Sequence, residues 1–130
     1  MPVDEARVRD ILRVLCRVAI PRGQLVLYKM ARQSGAAGFT SLEMGKAIQY
    51  DGAQFRGLMA AFSTRINRSP RETYPTKKPG VDLMFVQKWL GDQYHYAPRQ
   101  ELLAAIDRLP SLAAYLEKPL EEIVAGGWHS

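Results

Sequence analysis

Residues Thr40–Arg68 read TSLEMGKAIQYDGAQFRGLMAAFSTRINR, and the reading of this stretch decides the fold. Thr40 and Glu43 stand at the spacing of a capping box, in which a hydroxyl and a carboxylate satisfy each other's backbone donors. Asp51 and Gln54 repeat the spacing, so a second helix is predicted to start at Asp51. Phe55, Leu58, Met59, Phe62 and Ile66 then fall at steps of three and four, which puts them on one narrow stripe of that helix. The first helix is short, with Met44 and Ile48 one turn apart. Gly45 beside them costs helix propensity, and its expected use is to let a neighbouring helix come close.

Two short-linked helices, the second long and amphipathic, make a helix-turn-helix. The run MGKAIQYDGAQFRGL (residues 44–58) also resembles the common prokaryotic form of that motif position by position. Met44, Gly45, Ile48, Asp51, Phe55 and Leu58 fill its apolar, small, apolar, capping, apolar and apolar places. The departure is Gln49, where the family often has glycine to allow a left-handed turn.

Outward from the motif, Val8, Ile11, Leu12, Leu15, Val18 and Ala19 form a helical stripe from Asp4 to Ile20. Pro21 and Gly23 are expected to end that helix. A second runs from near Arg22–Gln24 through Leu25, Leu27, Tyr28 and Met30 to about Gln33. Ser34–Gly38 is a small-residue loop, and Phe39 is placed to staple the first motif helix.

After Arg68, SPRETYPTKKPG reads as a loop, with an expected short strand at Glu72–Tyr74. VDLMFVQKW (residues 81–89) reads as a strand, with Leu83, Phe85, Gln87 and Trp89 on one face and Met84, Val86 and Lys88 on the other. A turn at Gly91–Asp92 leads to a second strand through Tyr94, His95 and Tyr96. Pro98 is expected to open a helix lined by Leu102, Leu103, Ile106 and Leu109. Pro110 and Pro119 punctuate two more, and residues 126–130 read as a frayed tail.

A helix-turn-helix followed by a β-hairpin resembles the winged-helix variant, with either the basic 75–80 loop or the 90–92 turn as the wing. The expected architecture is mainly α with a small β-hairpin. It is one domain over 1–130, with the helix-turn-helix at about 41–67, the hairpin at about 82–97 and C-terminal helices at about 98–125.

The chain has 130 residues, 47% of them hydrophobic, enough for a single core. No run of eighteen apolar residues suggests a membrane span, and the mixed-charge N-terminus lacks a signal-peptide pattern. A cytoplasmic location is expected. The single cysteine, Cys16, lies among Val14, Leu15 and Val18 and is expected to be a buried thiol. Residues 1–80 hold 14 Lys/Arg against 6 Asp/Glu, a surplus of +8, and residues 81–130 hold 4 against 7, or −3. Basic charge gathered around the second motif helix suits a polyanion.

The resemblance implies duplex DNA as partner and transcriptional control or DNA targeting as the job. Base contacts would come from Ala53, Gln54, Arg56 and Gly57, beside Gly52, with Gln54 suited to adenine and Arg56 to guanine. Backbone contacts would come from Thr40, Ser41, Lys46, Arg65, Asn67, Arg68, Arg71, Lys77 and Lys78. Two other readings stand beside it. Gly57, Ala60, Ala61 and Thr64 form a smooth face suited to a protein partner, and Tyr74, Trp89, Tyr94 and Tyr96 beside basic residues suit unpaired bases in RNA or single-stranded DNA. The acidic, leucine-bearing C-terminal helices either complete the core by covering the hairpin or form a homodimer contact.

No catalytic residues, metal site or cofactor are expected. Asp82 with Val86-Gln87-Lys88 is similar to the acid-and-lysine core of restriction-type nucleases, but Val86 stands where a second carboxylate is needed. His95 and His129 have no ligand spacing with Cys16, and no phosphate-cradling glycine motif occurs.

Overall fold

The computed structural model describes residues 3–17, 19–73, 77–125 and 128. The elements follow as α1 (Glu5–Leu15), α2 (Arg22–Ser34), β1 (Phe39–Thr40), α3 (Ser41–Ile48), α4 (Gly52–Asn67), β2 (Phe85–Trp89), β3 (Tyr94–Pro98), α5 (Gln100–Asp107), α6 (Pro110–Leu116) and α7 (Leu120–Ala125). Short 3-10 turns occur at Gly35–Ala37 and Gly80–Leu83. The fold is mainly helical with one antiparallel sheet in the order β1-β3-β2. No helix among the described residues is long and apolar enough to cross a membrane.

α2 is the central element. Leu25, Val26, Leu27 and Tyr28 are consecutive and all fully buried, the signature of a helix covered on every side. α6, α7, α3 and α4 pack around it. It even buries Lys29, whose Nζ donates to Leu116 O (2.9 Å) and Lys118 O (2.8 Å) at the end of α6. A cation is favourable there because the last carbonyls of a helix lack intrahelical donors.

α4 packs its stripe as the spacing predicts. Phe55, Phe62 and Ile66 are buried, while Leu58 and Met59 pack partly buried against the same core. Phe62 meets Tyr28 and Phe85 edge-on, at centroid separations of 5.9 and 6.1 Å, and its full burial stabilises by about 2–3 kcal/mol. Phe39, on β1, packs against Phe85 and Tyr96. Gly38 before it is required, since a Cβ there would collide with the Tyr96 carbonyl.

Both capping boxes form. Glu43 N donates to Thr40 Oγ1 (3.1 Å) and Thr40 N to Glu43 Oε1 (3.2 Å). Gln54 N donates to Asp51 Oδ1 (2.8 Å) and Asp51 N to Gln54 Oε1 (2.9 Å). Between the two helices Gln49 adopts φ 57°, ψ 40°, the left-handed conformation that glycine usually supplies. Gly45 does permit a close approach, but of the turn: the Tyr50 carbonyl lies 3.3 Å from where its Cβ would stand.

Several expectations are corrected. α1 ends at Leu15, not Ile20, and Pro21 caps the start of α2 rather than ending α1. Cys16 is the exposed C-cap of α1. Val14 and Leu15 are its neighbours in sequence, but residues adjacent along a helix lie about 100° apart and need not share a face. Val18 lies outside the described residues.

The strand predicted from residue 81 begins at Phe85, because Leu83, Met84 and Phe85 are all buried. A strand facing the core on one side cannot bury three in a row, and the 3-10 turn rotates them inward. Glu72 and Thr73 form no strand. Their N–H groups donate instead to buried Asp10, at 2.6 and 2.8 Å, and the Thr73 hydroxyl donates to it as well. Tyr74 lies outside the described residues.

Pro98 ends β3 opposite Phe85, and α5 begins at Gln100. Trp128, expected in a frayed tail, is buried. Its carbonyl accepts from Ile20 N (3.2 Å) and its indole N–H donates to Ser111 Oγ (3.1 Å). The C-terminal helices complete the core with Leu102, Ile106, Leu112, Leu116 and Ile123, and their main packing is of α5 on α1 and of α6 and α7 on α2 rather than on the hairpin.

Gln49→Gly removes a left-handed side-chain strain of about 1 kcal/mol and adds chain entropy to the unfolded state. The expected net result is a gain of about 0.5 kcal/mol, read as a raised urea midpoint with unchanged slope. A loss instead would mean that the Gln49 side chain itself holds the turn.

Candidate functional site

α4 turns its aromatic stripe inward and leaves Gly52, Ala53, Arg56, Gly57, Ala60 and Ala61 exposed. Beside it, between α4 and the β2–β3 hairpin, lies an open groove of about 570 Å³. Arg56, Met59, Ala60 and Ser63 form the α4 wall, and Gln87, Trp89, Tyr94 and Tyr96 the sheet wall. Ser41, Asp92 and Gln93, from the start of α3 and the hairpin tip, border it as well. The gap persists because Gly52, Ala60 and Ser63 are too small to fill it.

Trp89 shares the α4-facing side of β2 with Phe85 and Gln87, as the alternation predicts, but lies at the far end of the strand, beyond the buried part of that face. It is 56% exposed and pairs across the hairpin with Tyr94, 38% exposed. Their rings meet edge to face at 4.9 Å. Tyr96 is only 3% exposed, and burial, with Tyr94 beside it, pushes its hydroxyl up to about 12. It therefore stays protonated at neutral pH. The hairpin tip is Leu90–Gln93, where Leu90 N donates to Gln93 O (2.8 Å) and Gly91 holds φ 98°.

The cations divide by what they touch. Away from α4, Arg9 pairs with Glu72, Arg32 with Asp107, Arg99 with Asp82 and Arg108 with Glu5, at 2.7–3.0 Å. Around α4, Arg22, Lys46, Arg56, Arg68, Lys77 and Lys78 have no carboxylate partner among the described residues. Arg56 opens onto the groove, Lys46 onto a recess with Gly52 and Asp92, and Arg22 onto another with Gln54 and Ala61. Arg68 is the C-cap of α4.

Not every residue singled out from sequence is available at the surface. Arg65 donates to Val14 O (3.0 Å), Arg17 O (2.6 Å) and Ala19 O (3.4 Å), and so closes the end of α1. Burial holds its guanidinium below the usual arginine range. Arg71 donates to Asn67 O (2.7 Å) and Ser69 O (3.2 Å), and Asn67 Oδ1 accepts from Gly80 N (2.8 Å). Thr40 serves its capping box, and Ser41 Oγ accepts from Tyr94 N (3.3 Å). Gln54 spends its Oε1 on the Asp51 N–H and keeps its amide donor.

Ala53, Arg56 and Gly57 stay together on the open face, with Lys46, Arg68, Lys77 and Lys78 exposed near its ends. Sequence reading missed Gln87, Asp92 and Gln93 as groove residues, since nothing local marks a strand residue as facing a helix far along the chain. His95, whose Nε2 donates to Ala37 O (2.9 Å), holds the 3-10 turn before β1. Among the described residues no group of three or more His, Cys, Asp or Glu gathers as a metal site would require.

Comparison of the chain with protein-family models, with curated proteins and with solved structures finds no match. The functional reading therefore rests on the chemistry of this surface.

Arg65→Ala removes a charged donor to three carbonyls, and its expected cost is about 2 kcal/mol in urea unfolding. Arg56→Ala, at an exposed unpaired position, is expected to stay within about 0.5 kcal/mol of the parent. Equal effects would show that the two arginines are not divided between frame and surface.

Proposed function

We propose that the chain is a winged-helix protein that binds duplex DNA, with α4 entering the major groove and the Leu90–Gln93 turn as its wing. Transcriptional control, or targeting of a larger DNA-acting system in the cytoplasm, is the job such a module would do. The observation that carries this reading is the group of cations around α4 that have no carboxylate partner among the described residues. A surface that gathers cations without carboxylate partners favours a polyanion, because each contacted phosphate releases condensed counterions.

The shape of α4 supports the same reading. Gly52, Ala53, Gly57 and Ala60 leave its exposed face low, and nothing stands within 4 Å of where a Gly57 side chain would begin. A helix with small outward residues approaches base edges closely. Arg56 is the candidate for a bidentate guanine contact. Gln54 retains a donor alone, which suits one acceptor on a base edge rather than a bidentate adenine pair. Lys46, Arg68, Lys77 and Lys78 supply backbone contacts, and Arg65, Asn67 and Arg71 hold the frame that presents them.

The test is an anisotropy titration with a random-sequence duplex at about 50 and 200 mM salt. For about five phosphate contacts the expected affinity loss is roughly 500-fold. The combined variant Arg56→Ala, Lys77→Ala, Lys78→Ala is expected to fold normally and to flatten the salt slope by about 2, from its two lost phosphate contacts. Unchanged binding by that variant would place the interface elsewhere, and a salt-insensitive complex would remove the polyanion reading.

A further inference from the structure

Resting on the reading of α4 as a duplex-binding helix, we propose that the groove between α4 and the hairpin receives one unpaired nucleotide. The preferred target is then DNA carrying an extrahelical base, such as a bulge or a junction, rather than a perfect duplex.

The groove holds the three kinds of group that a nucleotide needs. Trp89 and Tyr94 are exposed and meet at 4.9 Å, forming an aromatic corner for a base that has left its stack. Stacking on such rings is tolerant of base identity because every base has a π-face. Arg56, on the opposite wall, is a cation without a carboxylate partner among the described residues, and in this complex it serves the phosphate of the extrahelical nucleotide instead of a guanine edge. Gln87 lines the same wall as the aromatic pair. Gln93 gives its Oε1 to Leu42 N (3.0 Å) and keeps its amide donors. Asp92 adds an acceptor for an exocyclic amine.

The volume, about 570 Å³, is in the range of small-ligand sites, roughly 300–1,000 Å³. A perfect duplex leaves this corner idle, because its base faces are covered by their neighbours and its edges alone are presented. An extrahelical base has already lost its stacking, so moving it onto Trp89 and Tyr94 costs little. The groove adjoins Gly52 and Arg56 at the start of α4, so one DNA molecule could engage both surfaces. Arg56 also argues against a purely apolar occupant, since covering it would bury an unpaired charge.

The experiment compares three probes at one salt concentration: an intact duplex, the same duplex with a single-nucleotide bulge, and the bulge carrying 2-aminopurine. The bulge is expected to bind about tenfold tighter than the intact duplex, from one stacked base, with 2-aminopurine emission quenched on binding. Trp89→Ala should bring the bulge down to the duplex level while leaving duplex affinity unchanged, and Trp89→Phe should keep most of the preference. Trp89 is exposed and Trp128 buried, so quenching of the protein's own emission by bulged DNA should disappear in Trp89→Ala.

Equal affinity for bulge and duplex overturns the proposal and leaves duplex binding by α4 standing. A loss of both affinities together in Trp89→Ala also overturns it, by making Trp89 a general contact. Absence of binding to either DNA removes the α4 reading and this proposal together. Trp89 quenching by an acidic aromatic peptide, with no response to bulged DNA, overturns it in favour of a protein partner.

Discussion

Two arginines at two helix ends hold the molecule in register. Arg65, in the last turn of α4, donates to the carbonyls of Val14, Arg17 and Ala19 at the end of α1. Arg17 returns the contact, donating to Arg65 O (3.1 Å) and Ser69 Oγ (3.2 Å) at the end of α4. Each helix end has carbonyls without intrahelical donors, and each arginine satisfies the other's. Because the negative ends of two helix dipoles face the two cations, the exchange also offsets the proximity of like charges. The geometric consequence is that α4 is pinned at its C-terminal end to α1, while the Asp51 box and the left-handed Gln49 set its N-terminal end.

The return from α4 to the sheet is held as firmly. Asp10, fully buried on α1, accepts from the backbone of Glu72 and Thr73 and pairs with Arg13 at 3.0 Å. A buried carboxylate is costly unless its acceptor sites are filled, and here backbone donors of the connecting segment fill them. That segment leads through Gly80, whose N–H is held by Asn67, into the turn that buries Leu83 and starts β2. The spacing between α4 and β2, and hence the width of the groove, follows from these two anchors on α1 and α4.

What was legible in the sequence was what is local. The two capping boxes, the stripe of Phe55, Leu58, Met59, Phe62 and Ile66, and the proline starts of α6 and α7 each depend on residues within a turn or two. What was not legible depends on partners far along the chain. Arg65 and Arg56 look alike in a sequence, and only the end of α1 makes one a structural cap. Asp10 gives no local sign of holding residues 72–73. Trp128 looked like a tail residue because its reward, burial against Ser111 and Ile20, lies on other elements. The groove was half legible: Trp89 and Tyr94 were noticed as stacking candidates, but their facing α4 across a gap is a property of the sheet order.

This division between frame and surface explains why the charge of the chain is unevenly felt. The pairs Arg9–Glu72, Arg32–Asp107, Arg99–Asp82 and Arg108–Glu5 are solvent-exposed to varying degrees, and such pairs contribute little to stability. Their larger effect is on the field. They cancel cations over α1, α2 and α5, while Arg65, Arg17 and Arg71 turn theirs onto backbone carbonyls. Around α4, Arg22, Lys46, Arg56, Arg68, Lys77 and Lys78 keep no carboxylate partner among the described residues, and the small residues that keep its outer face low also keep the groove open. Bulk added at Ala60 would act on both surfaces at once, because that position belongs to the exposed face of α4 and to the wall opposite Trp89. In the proposed reading, the approach to a duplex and the room for an unpaired base thus depend on the same absence of side-chain volume.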